Sequence, residues 1–336
     1  MVWFPLIPCP FARFFQRPKA PVVAPPPPSL EAFTVEHPTK TVLEIGPEFT
    51  LPAHEWAHDV ILASSGFGKS YLAGVMTEEI IESGGLVVII DPEGENYTLA
   101  ERYPLLIVGG DHATVGLNLD EASGDDIDRI MQTVLRDGVS IIFDLSERTQ
   151  KGQRELFTLI GGSLFTMQDK PELRRPVKFI VEEARIFAPQ KASDLPKNKD
   201  GETCLSVFEN IATRGRKRGI NMLIATQRPA SISKDILSQC NRWWFGGMQS
   251  EQDYKALKPH LEEAGVTAEE IKALPKGAGE FYFSANGETA KIQTRKRKCK
   301  HGGSTPGIDP EKIKIASRSD LAAAVKQLDG LGSLDI

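Results

Sequence analysis

Residues 63–70 read Ala-Ser-Ser-Gly-Phe-Gly-Lys-Ser. They follow the apolar run Val60–Ala63 and open a stretch with helical character from Lys69 to Ser83. Gly66 and Gly68 permit a tight backbone path that a Cβ would obstruct. A strand, such a turn and a helix start together gather backbone N–H groups around one point, where the helix dipole also favours an anion. Lys69 and Ser70 complete the pattern [AG]-x-x-x-x-G-K-[ST]. This assigns Lys69 to the β- and γ-phosphates of ATP and the Ser70 hydroxyl to Mg²⁺. Ser65, Gly66, Phe67, Gly68 and Tyr71 make up the rest of the nucleotide-binding stretch. Ala63 stands at a position where smallness matters more than φ freedom.

Outward from this loop, short apolar runs recur at Leu86–Ile90, Ile141–Phe143, Phe179–Val181 and Met222–Ala225. Nearly continuous apolar runs bounded by polar residues are what strands buried on both faces require. Helical stretches alternate with them at Gly124–Arg136, Gln153–Met167, Ser206–Arg214 and Lys234–Cys240, an order that implies βαβ units and a mostly parallel sheet. Glu280–Ile292 reads as a hairpin turning at Asn286-Gly287. The run Val177–Val181 ends in Glu182-Glu183. At a strand end, one carboxylate serves to orient Mg²⁺ and the next to polarise the attacking water, so Glu182 is the expected metal partner with Ser70 and Glu183 the expected base. The run ending at Ala225 leads into Thr226-Gln227-Arg228, and Gln227 is placed to sense phosphate or orient water.

Arg214–Gly219 reads RGRKRG, four cations that repel one another unless they face an anion. A neighbouring subunit's ATP and a nucleic-acid phosphate both qualify. In order along the chain, ASSGFGKS, IIDPEGEN (Ile89–Asn96), VEEARIFAP (Val181–Pro189), RGRKRGINMLIATQRP (Arg214–Pro229) and DILSQCNRWWFG (Asp235–Gly246) resemble the HerA-type ATPases of the HerA/FtsK superfamily. The similarity runs from about Thr41 to Thr294. It implies an α/β, RecA-like P-loop NTPase of the ASCE type, with a mostly parallel central sheet flanked by helices plus a C-terminal hairpin and arm. It further implies homo-hexameric rings, ATP hydrolysis at subunit interfaces and double-stranded DNA in the pore. In that register Arg216 matches the arginine acting in trans, with Arg214 second. The family usually carries Asp-Glu where this chain has Glu182-Glu183.

The 336 residues carry a net charge of −5, which excludes a generally basic nucleic-acid binder and leaves local or assembled contacts with DNA. Lys191, Lys197 and Lys199 are candidates for the pore. Arg295–Lys300 (RKRKCK) is a second basic run, suited to nucleic acid or to an acidic neighbouring surface. Of Trp243 and Trp244, one is expected in the core and one at an interface. The four cysteines are dispersed, as in a reduced intracellular protein. No 18-residue apolar run is present, and the proline-broken N-terminus lacks the cationic start of a signal peptide, so a cytoplasmic location is expected. The expected organisation is an aromatic peptide (1–17) able to dock on a partner, a Pro-rich linker (18–40), the ATPase domain (41–294) and a basic arm (295–336) with a short helix near Asp320–Gln327. A DNA translocase is the first functional expectation. The alternatives are a secretion or conjugation ATPase docked on a membrane complex, and a nucleotide-binding scaffold with low turnover.

Overall fold

The computed structural model describes residues 40–191 and 195–303. The N-terminal peptide and the helix expected at Asp320–Gln327 lie outside them. The centre is a nine-stranded sheet. Seven strands run parallel: β3 (Asp59–Leu62), β4 (Leu86–Asp91), β5 (Leu105–Val108), β6 (Ser140–Asp144), β7 (Val177–Val181), β8 (Ile220–Thr226) and β9 (Arg242–Phe245). Their spatial order is β9-β3-β8-β7-β4-β6-β5, and the antiparallel strands β10 (Glu280–Ala285) and β11 (Glu288–Gln293) extend the β9 edge. A separate hairpin pairs β1 (Val42–Gly46) with β2 (Phe49–Pro52). β8 therefore lies between the loop-bearing strand β3 and the acidic strand β7.

The five apolar runs all form strands with buried residues along their length. Alternate side chains serve opposite faces, as the two-residue period of a strand dictates. Val60 and Leu62 join one core beneath helices α2 (Gly124–Asp137), α3 (Gln150–Met167) and α4 (Cys204–Arg214). Ile61 and Ala63 join the other, beneath α1 (Lys69–Glu82) and the β1–β2 hairpin. Helix starts follow their caps. Thr149 accepts from the Gly152 N–H, so α3 begins before Gln153, and Thr203 forms a capping box with Ser206, so α4 begins at Cys204. The β10–β11 turn has Asn286 and Gly287 both at positive φ, the geometry of a two-residue hairpin loop.

Trp244 is fully buried and donates its indole N–H to Asp59 Oδ1 at 3.0 Å, while Trp243 is half-buried and stacks on His260 with centroids 4.0 Å apart. The basic run after β11 is held within its own chain. Arg295 reaches Glu78 and Glu79 at 2.9 and 2.7 Å, and Lys298 reaches Glu82 at 2.5 Å. The acidic surface that pairs with these cations is thus α1 itself. Burial alone would raise the Glu79 and Glu82 carboxyls. Hydrogen bonds from Lys40 and Arg295 to Glu79, and from Lys298, Tyr103 and Lys40 to Glu82, outweigh it, and Glu82 falls to about 2.

His58 precedes β3 and ties three elements together. Its Nδ1 accepts the Met222 N–H at 2.9 Å, which leaves Nε2 to donate to the Ala212 carbonyl at 3.1 Å. Burial and then the charge of Lys178 lower its pKa to about 4. The imidazole is neutral in the folded chain and takes up a proton on unfolding below about pH 6.5, so its contribution is complete above that pH and is lost as pH falls toward 4. The loss over this window is at most about 3 kcal/mol. Melting curves at pH 7.5 and 5 check this: His58→Gln is expected to be less stable at pH 7.5 and to lose less on acidification than the wild type.

Candidate nucleotide and catalytic site

The carboxyl ends of β3, β4, β7 and β8 meet at one edge of the sheet, where open α/β folds place their ligands. The 63–70 loop leaves β3 and enters α1 with Gly66 and Gly68 at φ 82° and 87°. Phe67 anchors the loop: its ring is buried against Gly247, where no side chain intervenes, so only its backbone faces the loop interior. Ser65 and Gly66 are exposed at the crest. Ser64 N–H donates to the Gly247 carbonyl at 2.9 Å, which fixes the loop to the segment after β9. Ala63 is fully buried, and a Cβ on the facing Gly246 would collide with it, so two small residues are needed there. Tyr71 turns away from the loop, its hydroxyl accepting the Arg297 N–H at 2.8 Å.

Glu182 and Glu183 leave the end of β7 and are both buried. Ser70 Oγ donates to Glu182 Oε2 at 2.9 Å, so the two groups expected at the metal are neighbours. The longer arm of Glu182, relative to aspartate, still reaches Ser70. Glu183 Oε1 receives Lys69 Nζ at 3.0 Å and Gln227 Nε2 at 2.7 Å. Its Oε2 is buried and accepts no hydrogen bond, with the Arg185 guanidinium 3.5 Å away. Glu183 also sits at φ 43°, a conformation costly for a residue with a Cβ and one that clusters at functional sites. Lys69, Ser70, Glu182, Glu183 and Gln227, 158 positions apart at their extremes, thus converge as the motif order implied.

Two further residues of this cluster lie in the IIDPEGEN stretch, which the family resemblance puts beside the nucleotide pocket without giving either residue a role. Asp91 ends β4 beside Glu182, and Asn96 bridges them, donating from its backbone and side chain to Asp91 Oδ2 at 2.8 and 3.0 Å and from its side chain to Glu182 Oε1 at 3.1 Å. Burial, then the Glu182 charge, raises Asp91 to about 7. Burial and Glu182 also raise the half-buried Glu95. The signal was the IIDPEGEN stretch, but its role depends on β4 lying next to β7.

The donor set is all oxygen: a serine hydroxyl and crowded carboxylates. That suits a hard divalent cation such as Mg²⁺. Among the described residues no cluster of three or more His, Cys, Asp or Glu forms a cage for a metal. Mg²⁺ does not need one, since it is usually held by one or two protein oxygens, water and substrate phosphates.

The arginines lie elsewhere. Arg214 ends α4 and Arg216 follows in a short 3-10 turn before β8, at the sheet edge opposite Gln227. β8 alone puts about 20 Å between those edges. Arg218 is held by Asp169 at 3.0 Å and lies over the Phe165 ring, whereas Arg214, Arg216 and Lys217 are exposed and form no ion pair among the described residues. The 216 guanidinium cannot serve its own chain's loop. Lys191, Lys197 and Lys199 are also exposed, the last two on a turn closed by the Lys197–Thr203 bridge.

The family model for the central domain of the helicase HerA matches residues 56–242. The chain belongs to that family. The matched span covers β3 to the start of β9, including the phosphate loop, the glutamate pair, Gln227 and the arginine turn. The DNA double-strand break repair helicase HerA of Pyrococcus furiosus is 39% identical over 109 residues, 32% of this chain and 18% of that protein. The HerA of Sulfurisphaera tokodaii is 29% identical over 149 residues, 43% of this chain and 28% of its own length. The alignments therefore span less than a third of these curated HerA relatives. Protein P9 of Pseudoalteromonas phage PM2 is 26% identical over 73 residues, 22% of this chain and 34% of that protein. Among solved structures, the bacterial conjugative coupling protein TrwB superposes with a TM-score of 0.56 at 12% identity, over 79% of this chain and 91% of that one. The genome packaging NTPase of Sulfolobus turreted icosahedral virus 2 gives 0.50 at 13% identity, over 71% and 97%. These two likenesses establish the RecA-like fold and nothing finer. No helix among the described residues is long and apolar enough to cross a membrane.

Proposed function

We propose that this HerA-family chain is a Mg²⁺-dependent ATPase that assembles into a homo-hexameric ring and drives double-stranded DNA through the pore. The observation that carries the reading is Glu183: one oxygen shared by Lys69 and Gln227, the other buried without a hydrogen-bond donor beside the phosphate loop. A base that takes the proton of an attacking water needs such an open lone pair within a held geometry. Gln227 orients Glu183 and the water. Lys69 neutralises charge on the phosphates, and the loop amides hold them. Mg²⁺, held by Ser70 and Glu182, would supply charge neutralisation at the β- and γ-oxygens. Glu182 also fixes Ser70, and Asn96 fixes Glu182.

Arg216, with Arg214 second, is assigned to the ATP of an adjacent subunit, since its own loop lies across the sheet. The exposed lysines 191, 197 and 199 are assigned to phosphates of the duplex. One such contact per subunit gives a ring about six cations, enough for salt-dependent binding. The aromatic N-terminal peptide is assigned to a partner protein, and the cytoplasm is the proposed location.

The test is steady-state ATP hydrolysis with and without duplex DNA, beside a mass measurement of the assembly. Turnover that rises severalfold with DNA, from a particle of about six chains, is expected. A protein that stays monomeric at micromolar concentration with ATP and DNA present would overturn the motor. Turnover indifferent to DNA from an assembled ring would leave an ATPase acting on another substrate.

A further inference from the structure

The pocket described above is strongly acidic. Asn96 bridges Asp91 and Glu182, Glu95 lies near Glu182, and Glu183 holds Lys69, with Arg185 reaching Glu183 from the exposed side. Lys69 is already engaged by Glu183. A polyphosphate entering this loop meets repulsion that one shared lysine and one metal ion must offset, so a further cation at the loop is of direct consequence.

The segment between α7 (Ala268–Lys272) and β10 supplies one. Pro275–Ala278 forms a turn that is fixed on both sides. Gly277 N–H donates to the carbonyl of Gly66 at 2.9 Å, and Thr294 N–H donates to Gly279 at 2.9 Å. The Gln293 side chain also donates to the Ala278 carbonyl. Gly277 and Gly279 sit at φ 78° and 71°, so the turn can lie flat against the loop. Lys276 projects from it across the crest. A Cβ placed on Gly66 would collide with the Lys276 Cε and stand 3.3 Å from its Nζ. The nearby Lys272 is paired with Glu251 at 3.1 Å, but Lys276 forms no ion pair among the described residues. A lysine with no ion pair among the described residues therefore lies over the exposed glycine of the loop, on a turn that a backbone hydrogen bond ties to that same glycine.

We propose that Lys276 is a second phosphate-binding lysine, contacting the polyphosphate of the bound nucleotide from the open side of the loop while Lys69 contacts it from the helix side. This assignment rests on the ATPase reading. The bond from Gly277 to Gly66 also makes the turn before β10 report on the loop, since a loop that shifts around phosphate carries the turn with it.

The test is equilibrium binding of a Mg²⁺-bound, non-hydrolysable ATP analogue to the full chain and to Lys276→Ala and Lys276→Arg, with the melting temperature of each in the absence of nucleotide. Lys276→Ala is expected to bind about tenfold more weakly, the scale of one charge-assisted hydrogen bond. Lys276→Arg is expected to recover most of that loss, and all three are expected to melt alike. Binding by Lys276→Ala within twofold of the wild type would overturn the proposal. Equal weakening in Lys276→Ala and Lys276→Arg would also overturn it, because it would mean that shape rather than charge is required. Wild-type protein that fails to bind the analogue at all would instead overturn the ATPase reading.

Discussion

Exchanging Glu183 for glutamine is expected to lower steady-state ATP turnover by about two to four orders of magnitude while Mg²⁺-dependent ATP binding is kept. The amide preserves the length of the side chain and can still meet Gln227, so the local packing is retained. What is lost is the basic lone pair at the buried Oε2 and the negative charge that shares Lys69. With that charge gone, Lys69 is more fully available to phosphate, so affinity is expected to hold or to rise. Lys69→Ala is the contrasting variant. It removes the cation from the loop and leaves Glu183 buried without its partner, so both binding and turnover fall. A nucleotide-binding scaffold would need Lys69 and tolerate the loss of Glu183. ATP hydrolysis within about tenfold of wild type in Glu183→Gln would therefore remove Glu183 as the base.

Why so much of this site could be read from the chain is physical. Strands buried on both faces must be apolar throughout, and the polar residues that end them stand out. Val60–Ala63, Phe179–Val181 and Met222–Ala225 announced their strands, and the residues just past them converge at one edge of the sheet. The loop after β3 is set by local backbone geometry, and local geometry is written in consecutive residues. Asp91 differs. Nothing near it in sequence says that β4 lies beside β7, and only that neighbour relation brings its carboxyl to Glu182.

Tertiary pairing likewise explains what was misread or left blank. Glu78 and Glu79 are fully buried on α1, against the usual preference of glutamate for water, because Lys40, Arg295 and Lys298 close over them. The same pairing consumes Arg295 and Lys298, two of the cations that made 295–300 look free for nucleic acid, and Arg297 lies 3.5 Å from Glu78. Helix α6 (Glu251–Glu263) carries Pro259 in its interior, a residue that ordinarily argues against a helix, and was not anticipated. Strand β9 is only four residues long and includes Arg242, so the Trp243–Trp244 pair was legible as packing but not as a strand. The segment expected as helix over Lys234–Cys240 is the short helix α5 (Lys234–Leu237), since Ser238–Cys240 closes in tight turns leading to β9.

The largest effect on an assembled particle is expected from Arg216. Alone, Arg216→Ala should lose about three orders of magnitude or more in turnover, the scale of an arginine supplied in trans, with nucleotide affinity little changed. That loss by itself does not say which subunit's ATP the residue serves, but mixing does. An Arg216→Ala subunit keeps its own Lys69, Glu183 and Gln227, whereas a Glu183→Gln subunit keeps its own Arg216. At the head-to-tail contacts of a ring, an Arg216→Ala pocket facing a Glu183→Gln neighbour has every part intact. Random mixing in equal amounts creates this pairing at about a quarter of the interfaces. Two inactive proteins are therefore expected to regain a substantial fraction of wild-type turnover when dissociated and reassembled together. Recovery would show that the arginine and the base act from different chains. A mixture as inactive as its components, in particles shown to contain both, would place Arg216 outside the hydrolytic interface and leave its exposed guanidinium to DNA.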